Sequence, residues 1–310
     1  MNNKKIIPSK LEKGDTIGVV APSNPIVGEN IEEVEMARKI VEESGFKVKF
    51  SKNLFSNTNG YSSTAKEKAE DINSMFADRQ VKMIWCAKGG ENSNSVFEYL
   101  DYEEIKKNPK IICGYSDITS LTNIITAKTG LVTFSSTNFK TIATDEIDYS
   151  YNEVLKRFVE GSLEIGKTTF GYKTIKEGQA EAELIGGNLS LTKGLVEGKY
   201  KVNFENKILF LEELGFETGP ALVSNYLYYM KQNGVFDKIK GLWIGNYEHE
   251  SGISLEKVIL DVLEDEYDFP IIKSNNFGHT ETKTVIPIGT KARIDTKNVR
   301  KIELIEKCVN

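Results

Sequence analysis

The sequence predicts an α/β protein, with a parallel sheet flanked by helices in its first half and a second, smaller, β-rich α/β unit after it. Three observations carry this. Short apolar runs alternate with helical patterns from residue 16 to 138, and such β-α-β-α order requires a parallel sheet covered on both faces. Residues 140–180 are less regular and rich in Gly, Lys and Thr, as expected of a connection. The tail "TVIPIGTKARIDTKNVRKIELIE" alternates like paired antiparallel strands. The expected units are 1–165 and 166–310.

The elements follow in order. "TIGVVAPS" (16–23) is a strand ended by Pro22 and Ser23. Residues 30–45 place Ile31, Val34, Ala37, Ile40 and Val41 at helical spacing, with Gly45 as the expected C-cap. "KVKFSKNL" reads as a strand, Thr64 to Ala77 as a helix, and "VKMIWCAKGG" (81–90) as a strand running into two glycines. A helix is expected near 94–100, then the strand "KIICGYSD", a helix to about Lys128, the strand "LVTFSSTN" (131–138) and a helix over 151–160. Beyond the connection come "AELIGGNLSLTKGLVEG", the strand "KILFLEEL" (207–214), a helix over 219–233, "KGLWIGNY" (240–247), a helix over 254–264 and the strand "PIIKSNN".

Composition excludes several classes. The chain has 310 residues, 39% hydrophobic, with a formal net charge of -5. A mildly acidic chain gives no electrostatic reason to expect nucleic acid. No apolar run approaches the roughly 20 residues that span a bilayer, and "MNNKKIIPSKLEKGD" lacks the apolar region of a secretory signal. No membrane association and a cytoplasmic location are therefore expected. Cys86, Cys113 and Cys308 are far apart, with no CxxC or Cys/His ligand spacing, so neither a disulfide framework nor a zinc site is indicated. Cys86 and Cys113 lie in apolar runs and read as buried strand thiols; a cysteine enzyme using either is the rival reading. Only two histidines exist, His249 and His279.

In open parallel sheets ligands bind beyond the carboxyl ends of the strands. The stretches "APSNP", "AKGGENSNS" and "GYSDIT" therefore matter most. Ser116 follows the strand that ends at Gly114 and precedes a helix. A serine hydroxyl needs a base and oxyanion donors to become a useful nucleophile, and a sharp strand-to-helix turn lifts it clear and aims helix amides at the reacting carbonyl. The Asp117 amide is the natural first donor. Ile118 stands where the second glycine of G-x-S-x-G would be, and the plainer reading is a helix cap, since Ser and Asp are both favoured there. In "KGGENSNSVFEYLD" two glycines let the backbone approach a ligand, so the Gly90 amide is the candidate second donor and Gly89 and Asn92 are expected at the substrate; the alternative is a tight turn capped by Asn or Ser. Glu212 and Glu213 end an apolar strand, where a carboxylate can orient a histidine; one is expected to face inward, and alternation does not say which. The alternative is an exposed acid in the next helix's first turn. His279 lies in a loop among small residues, a better catalytic setting than a core position. His249, in the charged loop "NYEHESG", reads as solvated. The order Ser116, then Glu212 or Glu213, then His279 is the Ser, acid, His order of some hydrolases.

The blocks "GDTIGVVAPSNP", "KGGENSNSVFEYLD", "ICGYSDITSL", "AELIGGNLSLTKGL", "ILFLEELG" and "NNFGHTETKTVIPIGTKARID" together resemble, in this order, the LD-carboxypeptidase family of serine peptidases. "GGENSNSVFEYLD" looks more like the MccF-type (microcin C self-immunity) branch than like the murein-recycling carboxypeptidases. The resemblance implies Ser116 as nucleophile, Glu212 rather than Glu213 as acid, His279 as base, and the Gly90 and Asp117 amides as oxyanion donors. It implies a flavodoxin-like or amidotransferase-like N-terminal domain carrying the serine, a β-rich C-terminal domain carrying Glu212 and His279, a homodimer, no cofactor or metal, and a small peptide-like substrate. That substrate is either a peptidyl or aminoacyl nucleotide of the microcin C type or a murein tetrapeptide ending in D-Ala. One departure is that the microcin immunity enzymes carry a tryptophan before the G-G-N-L block, whereas residues 162–183 here have Phe170 and Tyr172 but no Trp; Trp85 and Trp243 both lie in strands. A non-catalytic α/β binding module is the rival from another class, and no G-x-G-x-x-G or Walker A stretch supports it.

Overall fold

Two mixed sheets, of six and seven strands, form the protein. The computed structural model describes residues 4–144, 147–166 and 171–310. The first half supplies β1 (Thr16–Val20), α1 (Glu29–Glu43), β2 (Lys47–Phe50), α2 (Ala65–Ala77), β3 (Val81–Cys86), α3 (Tyr102–Lys107), β4 (Ile111–Gly114), α4 (Ile118–Thr129), β5 (Thr133–Ser135) and α5 (Ile147–Leu155). The rest supplies β6 (Lys173–Lys176), β7 (Gln179–Asn188), α6 (Leu189–Lys193), β8 (Lys207–Glu212), α7 (Pro220–Gln232), β9 (Gly241–Ile244), α8 (Leu255–Leu263), β10 (Ile271–Lys273), β11 (Ile286–Ile288), β12 (Lys291–Asp295) and β13 (Ile302–Leu304).

The first sheet runs β11-β5-β4-β3-β1-β2. Its five N-terminal strands are parallel, and central β3 and β4 are apolar on both faces, as burial on both sides requires. The second sheet runs β13-β12-β7-β8-β9-β10-β6, with β7 to β10 parallel and antiparallel strands at both edges. The tail is only partly the antiparallel hairpin that alternation suggested. β12 and β13 pair that way, but β11 crosses to the first sheet and pairs antiparallel with β5.

Local signals set most boundaries. Thr64 and Glu67 make a reciprocal capping box at the start of α2, with the Thr64 amide donating to Glu67 Oε2 at 3.0 Å. α1 ends at Ser44, and Gly45 takes the next, left-handed position at φ +90°. The helix expected near 94–100 is instead a short 3-10 turn, Ser93–Val96, followed by α3. α5 starts before residue 151, and its last turn, Lys156–Glu160, widens into a π-helix. Among the described residues no helix is long and apolar enough to cross a membrane.

The joint between the sheets positions the site. α4 leaves β4 and lies against the end of β7. Asn123 on α4 donates to the Gly186 carbonyl at 2.9 Å and accepts from the Gly186 amide at 3.2 Å, and Thr119 Oγ1 accepts from the Asn188 amide at 3.0 Å. Gly187 allows this approach, because a Cβ there would fall 2.5 Å from Thr119 Oγ1. The "GGN" block thus docks the serine's helix onto the sheet that carries the glutamates. Breaking one side of such a buried pair leaves an unsatisfied polar group, worth about 1–3 kcal/mol.

Candidate active site

Ser116 stands between β4 and α4 in a left-handed backbone conformation, φ +63°. That region is uncommon for a residue with a side chain and costs on the order of 1–3 kcal/mol unless neighbours enforce it. The neighbours do so here. The Tyr115 amide donates to Asn138 Oδ1 at 3.1 Å, and the Ser116 carbonyl accepts from the Thr119 amide at 2.9 Å. A Cβ at Gly114 would lie 2.8 Å from both Asn138 Oδ1 and Ile118 Cγ2, so the strand end must be glycine. The N-cap position of α4 falls on Asp117, whose side chain makes no cap bond. The reading of Ser116 as a plain helix cap therefore fails: the turn presents the residue, and the helix starts after it.

Gly89 borders the hydroxyl directly. A Cβ on Gly89 would sit 2.9 Å from Ser116 Cβ and 3.0 Å from its Oγ. Gly90, at φ +147°, packs on the loop after β1, where a Cβ would fall 2.2 Å from Asn24 Cγ. Asn92 faces Lys68, which donates to its main-chain and side-chain oxygens at 3.0 Å each.

The second sheet brings the other groups. Glu212, 2% exposed at the end of β8, accepts from His279 Nδ1 at 2.7 Å and from the His279 amide at 3.1 Å. A carboxylate only accepts, so Nδ1 carries the proton of the neutral imidazole. Burial pushes the His279 pKa down, but the charge and hydrogen bond of Glu212, with Glu213 behind it, outweigh this and leave it raised. Gly278, at φ +91°, makes the approach possible: a Cβ there would lie 2.4 Å from Glu212 Cγ. Asn246 donates to the His279 carbonyl at 2.6 Å. Farther along the loop, Ser150 on α5 accepts from the Lys283 amide at 2.9 Å, and Thr284 donates to Glu153 at 2.7 Å.

Glu213 is not the exposed acid of a helix start, nor does one glutamate alone turn inward. Both are 2% exposed. Glu213 turns the other way and accepts from Asn188 Nδ2 and the Ser190 amide at 2.9 Å each and from its neighbour Leu214's amide at 2.8 Å. Burial and the nearby Glu212 raise its pKa.

The two halves meet through Tyr115, whose ring packs edge-on against His279 at 5.2 Å between centroids. An open cavity of about 610 Å³ adjoins them, lined by Tyr115, Glu248, His279, Thr280, Glu281 and Lys283 among others. His249 lies outside this group, half-buried, bonded to Ser251 Oγ at 2.7 Å and stacked on Tyr247. Cys86, Cys113 and Cys308 are free and buried, and burial pushes the thiols up, so the cysteine-nucleophile reading has no reactive thiolate to rest on. Trp85 and Trp243 are fully buried strand residues. Tyr172 turns its hydroxyl onto the Ile165 carbonyl at 2.9 Å, and Phe170 lies outside the described residues. Sequence reasoning did not single out Asn138, Asn246, Gly278, Lys68 or the side chain of Asp117. Of these only Gly278, beside the histidine, carried a local signal.

A serine turn at the end of a parallel sheet and a buried Glu–His pair from a second sheet are thus joined by the contact of Tyr115 with His279. The chain belongs to the LD-carboxypeptidase family: the family's N-terminal domain matches residues 17–136 and its C-terminal domain residues 181–294. The "Probable murein peptide carboxypeptidase" of Bacillus subtilis is 32% identical, over 93% of this chain and 91% of its own. The microcin C7 self-immunity protein MccF of Escherichia coli is 28% identical, over 94% of each. Among solved structures, an MccF-like protein from Bacillus anthracis superposes with a TM-score of 0.87 at 32% identity, covering 97% of this chain and 99% of that one. MccF in complex with glutamyl sulfamoyl guanosine superposes with a TM-score of 0.89 at 27% identity, covering 98% and 99%.

Proposed function

We propose that this chain is a serine carboxypeptidase in which Ser116 attacks an amide carbonyl near the C-terminus of a small peptide-like substrate. His279 Nε2 takes the hydroxyl proton while Nδ1 holds it to Glu212, whose charge stabilises the imidazolium as it forms. The oxyanion rests on the Gly90 and Asp117 amides, with Gly89 and Asn92 beside the substrate. The C–N bond then breaks, the leaving amine takes the proton from His279, and water releases the acyl group from Ser116. The observation that carries this reading is the buried Glu212–His279 pair, set by the Tyr115 contact against the turn that holds Ser116.

The favoured substrate is an aminoacyl or peptidyl nucleotide of the microcin C type, on the likeness to MccF, a solved structure of which holds glutamyl sulfamoyl guanosine. A second reading, release of D-Ala from a murein tetrapeptide, is favoured by the burial of both tryptophans, which leaves neither to stack on a base, and by the name of the Bacillus subtilis relative. In either case the reading takes the chain as a cytoplasmic homodimer. The test is incubation with a processed microcin C analogue and with murein tetrapeptide, followed by mass spectrometry. One of them is cleaved by wild type, and Ser116→Ala loses about 10⁴-fold or more in kcat. Cleavage of neither, or full activity in Ser116→Ala, sinks the reading.

A further inference from the structure

Two loops beside the serine turn converge on one buried carboxylate. Asp117 is fully buried. Its Oδ2 accepts from the Ser23 hydroxyl, in the loop after β1, and from the Ser93 amide at 2.6 Å, in the turn after β3. The Ser93 hydroxyl donates back to the Asp117 carbonyl at 2.8 Å. The other carboxylate oxygen is buried and makes no hydrogen bond. Lys68 of α2, 2% exposed, bonds its ammonium to Asn92, the residue before Ser93.

This arrangement needs a reason. A buried carboxylate is costly to desolvate and is weak evidence for stability. Helix capping is not the reason, because the carboxylate makes no cap bond to α4. What the side chain does hold is the relative placement of two backbone segments, the Asp117 amide itself and the glycine pair. Ser23 and Asn24 form the wall against which Gly90 is wedged, and the Asn24 amide donates to the Gly89 carbonyl at 3.3 Å.

We propose that the Asp117 side chain is the positioning residue for the oxyanion donors, fixing the Gly89-Gly90 segment against the serine turn through Ser23 and Ser93. This rests on Ser116 being the nucleophile. The experiment uses a fluorophosphonate, which labels a reactive serine whatever the natural substrate: Oγ bonds to phosphorus, its proton passes to His279, fluoride leaves, and the phosphoryl oxygen takes the oxyanion position. The limiting rate kinact and the half-saturation KI are measured by intact mass with peptide mapping. Asp117→Ala, which removes the acceptor of both bonds, lowers kinact by about tenfold to a hundredfold with KI changed by less than about twofold. Ser23→Ala, which deletes the hydroxyl bond to the carboxylate, and Ser93→Ala, which deletes the bond to the Asp117 carbonyl, keep the report readable if Asp117→Ala misfolds and lower kinact by about threefold to tenfold. Wild-type kinact in Asp117→Ala, Ser23→Ala and Ser93→Ala, or a rise in KI that accounts for the whole loss, overturns the positioning role. A wild-type protein that is not labelled at Ser116 overturns the nucleophile reading itself, a result distinct from labelling that the variants leave unchanged.

Discussion

The serine half and the histidine half of the site are held by different forces. Around Ser116 the constraints are mostly steric and backbone-based: a left-handed φ, glycines at 89, 90 and 114, and hydrogen bonds to main-chain groups. Around His279 they are electrostatic, with two glutamates at 2% exposure on either side of one strand end and a histidine whose protonation they favour. A steric half should fail through atoms that do not fit. An electrostatic half should fail through charge and should respond to pH.

The largest expected effect in this comparison is on the electrostatic side. Glu212→Gln keeps the shape but removes the charge and the tautomer control, and is expected to lower kcat about 10³- to 10⁴-fold. It also moves the pH profile. With Glu212 present the His279 pKa is raised above the ordinary histidine value, so the acid limb of kcat/KM is displaced to higher pH; without it burial is less opposed and the limb shifts to lower pH. The sign for stability follows. A raised histidine pKa stabilises the fold below the unfolded value and loses that contribution as pH rises through the folded one, so thermal melts of wild type fall across that window and those of Glu212→Gln change less. An unmoved acid limb would mean that the pair does not govern the base.

On the steric side, Gly89→Ala places a methyl 2.9 Å from Ser116 Cβ. Misplacing a nucleophile by a fraction of an ångström is expected to cost about 10²-fold in kcat, with an acid limb and melting temperature close to wild type; a shifted limb would blur the distinction between the halves. Gly278→Ala tests where they overlap. It forces φ +91° on alanine and drives a methyl onto Glu212, so about 1–3 kcal/mol of stability should be lost, read by urea titration, together with activity. The smallest effect is at the cysteines: with all three buried, native-state alkylation is slow and hydrolysis continues at the wild-type rate.

What was legible in the sequence divides along the same line. The strand-glycine-serine-helix turn is a local pattern, so Ser116 and Gly114 stood out from residues within a few positions of each other. The parallel order of the first sheet was equally local, written in its alternating periods. Glu212 and Glu213 were different. Both end up buried, and only partners 67 residues onward for one and 25 residues back for the other distinguish them, so alternation along β8 had nothing to choose between; the family resemblance favoured Glu212. The Asp117 network joins positions 94 and 24 residues away, and no spacing rule reports such contacts. β11 is three residues long, too short to declare which sheet it joins, and its crossing to β5 is visible only in three dimensions.

Ser116, activated by His279 and Glu212 from the other sheet, is expected to form the covalent intermediate. The most direct measurement is an acid quench of wild-type protein during turnover of whichever substrate is cleaved, followed by peptide mapping. The expected result is an acyl group on the peptide containing Ser116, absent in Ser116→Ala. An acyl group on any other residue, or turnover that persists in Ser116→Ala, would contradict it.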